Sequence, residues 1–472
     1  MKYKLPFYYD YIFPNFILPN ALITELGIIN YMYAMYSKTF NDTSLFDIHS
    51  GDTNPLNFIF DNNLGSWPNS ILYQGMLNFH SKCYEDYLEL QEESVFLGKA
   101  NNSKKYIYPI RLTFNLAEFS AYDLPNGTKL NGEYFWKNMS AEALEDAQSG
   151  RAIILLDYGQ ENYIQKSNFI KLHNAIKDSN ISKENIILAL NTFNGEEVYN
   201  SMFSTNEQLL TVKNWPFVVT NTSYHYTIHP EQHVSKDEFK QSKNYIRPNY
   251  FIYKVRRPRD HRLMLLYSFS SADLLKKADW SCLSKIELDI SKINLFKHYT
   301  HLNYDVDKIT ELHKQIPHTL KSEEFAYEDV SAWTDRHPQP YKDSYFYVCT
   351  ETFVHGDFKS LTEKIFKPIV NLQPFIFVAY PGALSMLKEL GFKTFHPYIN
   401  ESYDNEKDIY KRINMIHNEV EKLCNMSKEE LHKWYWNMED ILLYNQDLAL
   451  NLHKEKNLTL SFIEYLNLRV KI

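Results

Sequence analysis

Thirteen glycines are spread over 472 residues, and no two of them stand one residue apart. The chain therefore has neither a GxGxxG dinucleotide fingerprint nor a GxxxxGK[ST] phosphate loop. GxSxG and HExxH are missing as well. These absences remove the usual dehydrogenase, NTPase, serine-hydrolase and zincin readings. The four cysteines, Cys83, Cys282, Cys349 and Cys424, lie far apart and form no CxxC pair. No disulfide frame is read from them, and a reduced, cytoplasmic setting is expected. Long apolar runs are also lacking. The best of them, Pro374 to Leu387, is broken by Pro381 and Gly382 and is too short to span a bilayer. The opening stretch is interrupted by Pro6, Asp10, Pro14 and Pro19, so no secretion signal is expected. A net charge of -8 argues against broad binding of nucleic acid.

What the chain does have is apolar bulk, 44% hydrophobic and 15% aromatic, which is enough to fill the two cores that 472 residues imply. The clearest organisation runs from Ser344 to Phe395 and reads as strand, helix, strand, helix, short strand. Ser344 to Thr350 is an unbroken apolar and aromatic run ending in polar Thr350, Glu351 and Thr352, the pattern of a strand buried on both faces of a parallel sheet. Phe375 to Ala379 repeats it. Between them Leu361, Ile365 and Ile369 recur every four residues along one helical face. Pro381 and Gly382 open a second helix carrying Leu384, Leu387 and Leu390, and Gly391 stops it.

In chain order, residues 1 to about 240 read as a first Rossmann-like domain. Ile23 to Tyr36 has the pattern of a helix, and Tyr106 to Phe114 that of a strand which Pro109 confines to a sheet edge. RAIILLDYGQE, from Arg151, is a strand ending in Asp157 and Glu161. Ser167 to Asp178 predicts a helix, Asn185 to Leu190 the next strand, and Phe217 to Val219 a further one. Residues 241–425 read as a second domain, with 426–472 as C-terminal helices that cross back onto the first. Ile409, Ile413, Ile416, Val420 and Leu423 mark an amphipathic helix, and Ser427 with Glu430 a capping box opening another. Asp305-Val306-Asp307 has the DxD form of some metal sites, but no apolar strand precedes it, and it reads as a charged loop. His225, His229 and His233 are spaced by four. Pro230 and the strand-like YHYTI context set a helical zinc face aside.

The chemistry-bearing residues gather where strands end and helices begin, the edge of an open α/β sheet at which anions bind. Arg256, Arg257, Arg259, His261 and Arg262 form a cationic cluster between an apolar strand and a helix start. Glu351, Ser360, Thr362, Glu363 and Lys364 stand at the end of the next strand signal. Lys364 suits a phosphate, and Glu363 a pair of ribose hydroxyls. Ser360 and Glu363 also read as a capping box, and both roles stay open. Together these residues suit a nucleoside diphosphate.

Ser360-Leu361-Thr362-Glu363-Lys364, followed by Ile365-Phe366-Lys367-Pro368, resembles the TEK-type motif of the donor domain in α-1,3-fucosyltransferase-like glycosyltransferases. It is similar also to viral and bacterial relatives carrying TEKxFKP. The arginine-rich segment from Arg256 to Arg262 resembles the start of that domain, and the likeness spans about residues 245–425. It implies an α/β fold of the GT-B type, two Rossmann-like domains facing across a cleft. It implies metal-independent transfer of a sugar from a nucleotide-diphosphate sugar, the co-substrate, to a glycan or other hydroxyl acceptor, with no further cofactor. Glu363, Lys364 and one of the arginines would then contact ribose and diphosphate. An inverting transfer also needs a carboxylate base, for which Asp157 and Glu161 are the candidates and Glu351 the second choice. A non-catalytic nucleotide-sugar binding module and a DNA-modifying transferase are the alternatives.

Overall fold

The computed structural model describes residues 3–5, 12–13, 16–17, 88–90, 105–111, 122–123, 129–130, 141–158, 166–177, 179–320, 337–455 and 460–471. The expected helix from Ile23 to Tyr36 and the stretch from Leu112 to Phe114 lie outside them. Contacts divide the chain into two compact units, Met1–Phe217 with Leu458–Ile472, and Val218–Asn457. Each is an α/β unit around its own parallel four-stranded sheet.

In the first unit the sheet is built from β1 (Tyr106–Arg111), β2 (Ala152–Tyr158), β3 (Ile186–Leu190) and β4 (Thr211–Asn214), side by side in sequence order. Helices α1 (Ala141–Ser149), α2 (Lys166–Ile176) and α3 (Gly195–Met202) connect them. β1 holds the expected edge, with Pro109 opposite Leu155. There its missing N–H costs no ladder bond. The Asp146 carboxylate on α1 accepts from Tyr106 Oη at 2.7 Å and from Arg151 Nε at 2.7 Å, tying the helix to the start of the sheet. Gly150 then ends α1 at φ 81°, a conformation few L-residues adopt. The last helix of the chain, α13 (Leu460–Lys471), belongs to this unit. Phe462 stacks on Trp215 with ring centroids 4.9 Å apart, and Arg469 donates to the Glu184 carbonyl.

The second unit begins in α4 (Phe217–Ile228), a helix where Phe217 to Val219 predicts a strand. A run of three apolar residues is too short to fix a period, and the packing of the following turns decides the matter. Ser223 Oγ donates to the Ala449 carbonyl at 2.6 Å, and Thr227 Oγ1 to that of Leu450 at 2.5 Å. The same helix overturns the strand-like reading of YHYTI. His225 and His229 lie one turn apart, but His225 Nε2 pairs with Gln232 and His229 Nδ1 with Glu231. Among the described residues no group of three or more His, Cys, Asp or Glu side chains is placed to hold a metal ion.

The sheet of this unit comprises β5 (Asn249–Val255), β6 (Ala278–Cys282), β7 (Ser344–Thr350) and β8 (Phe375–Val378), in the spatial order β6-β5-β7-β8. Every residue of β7 is buried, as its apolar run requires, and Phe346 stacks on Phe251 of β5 at 5.3 Å. A buried side chain of that size contributes roughly 1.5–3 kcal/mol. Helix α5 (Asp260–Ser271) follows β5; its Phe269 ring meets Tyr253 of the sheet at 5.4 Å and His417 at 5.8 Å on α10 (Ile409–Cys424). Helices α6 (Ile290–Thr300) and α7 (Val306–Gln315) lie between β6 and β7. Asp305 caps α7 by accepting from the backbone of Asp307 and Lys308, so the DxD triplet is a helix start.

Helix α8 (Glu363–Val370) joins β7 to β8, and α9 (Ala383–Glu389) follows and stops before Gly391, at φ 98°. Residues 392–395 are irregular where a short strand is expected. Ser427 and Glu430 form the expected capping box on α11 (Lys428–Trp436), and α12 (Glu439–Glu455) closes the unit, its Gln446 donating to the Val370 carbonyl at the end of α8 at 2.6 Å. Among the described residues no helix is long and apolar enough to cross a membrane.

Candidate functional site

From β5 the chain crosses to β6 on one side, then returns to β7 on the other. The connections leaving β5 and β7 therefore diverge, and the crevice between the carboxyl ends of these strands is a topological switch point, the place where open parallel sheets bind ligands. The loop after β5 is Arg256 to Arg259. The loop after β7 runs from Glu351 to Thr362. Both clusters singled out in the sequence thus meet at one edge of one sheet.

The arginine loop divides into exposed and buried members. Arg256 and Arg257 are exposed. Partial desolvation and the Arg257 charge draw the Arg256 pKa below its ordinary value, while Glu363, on the other loop, opposes them. Arg259 lays its guanidinium over the Phe353 ring, 4.8 Å from the centroid. No side chain caps the start of α5, and Asp260 in its first turn is drawn off by Lys292 at 2.6 Å. His261 and Arg262 turn inward instead, each 5% exposed. His261 Nε2 donates to the Glu351 carbonyl at 3.0 Å. Arg262 Nη2 donates to the carbonyls of Glu351 at 3.0 Å and Thr350 at 3.3 Å, while its Nε is buried without a partner. Burial, with the charge of Arg262 next, pushes the His261 pKa down to about 3, so this imidazole is neutral at pH 7. Of the cationic cluster, Arg256 and Arg257 are exposed, Arg259 is half-buried against Phe353, and His261 and Arg262 fasten β7.

On the second loop the N-cap is Thr362, whose Oγ1 accepts from Lys364 N at 3.3 Å. Ser360 is half-buried two residues before the N-cap, so the Ser360–Glu363 capping box does not form. The helix starts later than the box requires because the Thr362 hydroxyl has a buried acceptor of its own: the Glu351 carboxylate, with its oxygens 2.7 and 2.8 Å away. Glu363 Oε1 accepts from Lys364 Nζ at 2.8 Å. Burial resists ionisation of Glu363, but Lys364 and Lys367 outweigh it and hold the carboxyl below its ordinary range.

Two aromatic residues of the site escaped the sequence analysis. Phe353 had as its signal only an aromatic ring in an otherwise polar loop. Tyr380, just past β8, is buried beside the carboxylates of Glu351, Asp404 and Glu389; burial first, and these charges next, raise its phenol pKa. In the first unit, Asp157 is the penultimate residue of β2, its backbone opposite Arg111 and Ala189. Glu161 lies outside the described residues. A cavity of about 170 Å3 lined by Arg247, Tyr341, Lys342 and Asn371 opens beside the start of β7, at the other edge of the sheet.

No family model matches the sequence, and no curated protein sequence matches it. Solved structures do. One from E. coli, described as trehalose-6-phosphate bound with UDP-2-fluoro glucose, is 11% identical, with 77% of this chain and 74% of that chain covered at a TM-score of 0.38. An α,α-trehalose 6-phosphate synthase from Burkholderia multivorans is 8% identical, with 77% and 71% covered at 0.36. A UDP-forming α,α-trehalose-phosphate synthase from Burkholderia xenovorans in complex with glucose-6-phosphate is 10% identical, with 71% and 81% covered at 0.33. Overlaps this loose carry no argument about the site.

Proposed function

We propose that the second unit binds the nucleoside diphosphate of a sugar donor and that the chain is a glycosyltransferase of the GT-B type. The observation that carries this reading is the convergence, at the β5–β7 switch point, of Arg256, Arg257 and Arg259 with the helix start bearing Glu363 and Lys364. As the bond from sugar to diphosphate breaks, negative charge builds on the leaving oxygen. Arginine forks and an ammonium beside a helix N-terminus stabilise that charge more than they stabilise the intact donor. Glu363 and Ser360 take the ribose side.

A transfer that inverts the sugar carbon also needs a carboxylate to receive the acceptor proton as its oxygen attacks. Asp157 and Glu161 are our candidates for that base, with a glycan or another hydroxyl compound as acceptor. The likeness of the TEK-type segment to fucosyltransferase-like donor domains supports the same class of donor.

The test is calorimetry with UDP-, GDP-, CMP- and dTDP-sugars, followed by product detection with hydroxyl acceptors. A nucleoside diphosphate sugar binds, and Lys364→Ala and Arg256→Ala each weaken it about tenfold or more, the loss expected for a charge-assisted bond to phosphate. Normal binding and transfer in both variants would refute the assignment. Binding without turnover on any acceptor identifies a binding module instead.

A further inference from the structure

In the sequence Glu351 is the second choice for the carboxylate base, at the end of a strand. In the fold it is 2% exposed, and both of its ends are engaged. Its backbone carbonyl receives His261 and Arg262 from the start of α5. Its carboxylate receives Thr352 N at 3.1 Å, Thr362 N at 3.2 Å and the Thr362 hydroxyl. One residue at the tip of β7 therefore fastens the start of α5 with its main chain and the start of α8 with its side chain.

The network continues to the ammonium. Lys364 Nζ donates to Thr362 Oγ1 at 3.3 Å and lies 4.0 Å from Glu351 Oε2. The Thr362 hydroxyl has a single proton, which goes to the carboxylate, so its lone pairs face Lys364. Threonine is thus oriented by one charge and read by the other. An ionised carboxylate this far from water, with backbone and hydroxyl donors around it, is costly unless an opposite charge is held close.

We propose that Glu351 is the positioning residue of the site: through Thr362 it fixes the place and the charge of the Lys364 ammonium at the start of α8. The inference rests on the reading of this site as a diphosphate site. At 2% exposed, with Thr352 N, Thr362 N and the Thr362 hydroxyl on its carboxylate, Glu351 is closed off from a substrate proton, which removes it from the candidates for the base. The groups that face Lys364 are Glu363 beside it, Glu351 from β7 and Arg262 from α5. Burial acts against the ammonium, but Glu363 and then Glu351 outweigh it and raise its pKa above the ordinary lysine value. Removing the Glu351 charge therefore lowers the pH at which Lys364 loses its proton, by about one unit for an opposite charge at this range.

Two readouts test this. In the protein without nucleotide, the pH dependence of Lys364 acylation is followed by mass spectrometry in the wild type and in Glu351→Gln, which keeps an acceptor for Thr362 and drops the charge. The reactivity midpoint moves down by about one pH unit in the variant, and Thr362→Ser leaves it in place. An unmoved midpoint in a variant that melts like the wild type overturns the proposal. Should Glu351→Gln fail to fold, Thr362→Val, which removes the hydroxyl between the two charges, gives the same arm: a midpoint equal to that of Thr362→Ser counts against the proposal.

The second readout is calorimetric binding of UDP and GDP against pH. The alkaline loss of affinity begins about one unit earlier in Glu351→Gln. Absence of any diphosphate binding in the wild type would sink the functional reading of the site while the acylation result still decided the role of Glu351.

Discussion

The guanidinium of Arg259 rests 4.8 Å from the centre of the Phe353 ring, joining the loop that follows β5 to the loop that follows β7. An arginine stacked in this way has the plane of its guanidinium fixed against the ring. Phe353→Leu removes the stack without removing the charge. Nucleoside diphosphate affinity is expected to fall by a factor of about two to five, the equivalent of ~0.5–1 kcal/mol for a partly exposed cation–π pair. Calorimetry at one pH and salt concentration measures it, and an unchanged affinity would separate the stack from binding.

His261 sets a dependence of stability on acid. Burial holds its folded-state pKa near 3, against about 6.5 in the unfolded chain. Between those values the unfolded chain binds more protons than the folded one, so stability is present above pH 6.5 and is lost as the pH falls toward 3. The full slope is about 1.4 kcal/mol per pH unit. His261→Asn removes this share. The stability advantage of the wild type over the variant, from urea titrations, should shrink steadily from pH 7 to pH 4.5. His453, lowered to about 4 by burial, is present in both proteins and cancels.

Ser427 offers a control away from the site. Its hydroxyl accepts from Glu430 N while Glu430 returns a bond to Ser427 N. Ser427→Ala is expected to cost about 1 kcal/mol, or roughly 2–4 °C of melting temperature in a unit of this size. Diphosphate affinity should not change, and a loss of affinity as large as that in Lys364→Ala would show that global stability governs both.

Phe462→Ala tests the place of the last helix. The ring is buried and stacked on Trp215. Its removal is expected to cost about 3–5 kcal/mol. Hydrogen exchange should accelerate in peptides from β3 and β4 and stay as it was in β5 and β7. Uniform acceleration would mean that the helix serves both units alike.

The elements that could be read directly were those whose pattern is continuous or periodic. SYFYVCT is buried along its whole length and NYFIYKV at every residue but Lys254, and the Ile409 to Leu423 series keeps its spacing through α10. TVKN and ADWSC were passed over as strands because four or five mixed residues carry neither an apolar run nor an alternation strong enough to register. Phe217 to Val219 misled for the opposite reason, since its β-branched residues suit a strand until α4 finds partners in α12. At the site, residue types announced the chemistry but not its distribution. Nothing in the order of Arg256 to Arg262 separates two exposed arginines and a half-buried one from a buried histidine and arginine. The cap at Thr362 rather than Ser360 depends on Glu351, eleven residues earlier, and that distance is crossed only in space.

Helix α13 is made after residues 218–457, yet its Phe462 covers Trp215, which is made before any strand of the second sheet. While residues 218–457 emerge and collapse, the earlier unit waits with an indole face uncovered. It is finished only when the helix arrives, so its exposure to chaperones and proteases is timed by the translation of its neighbour.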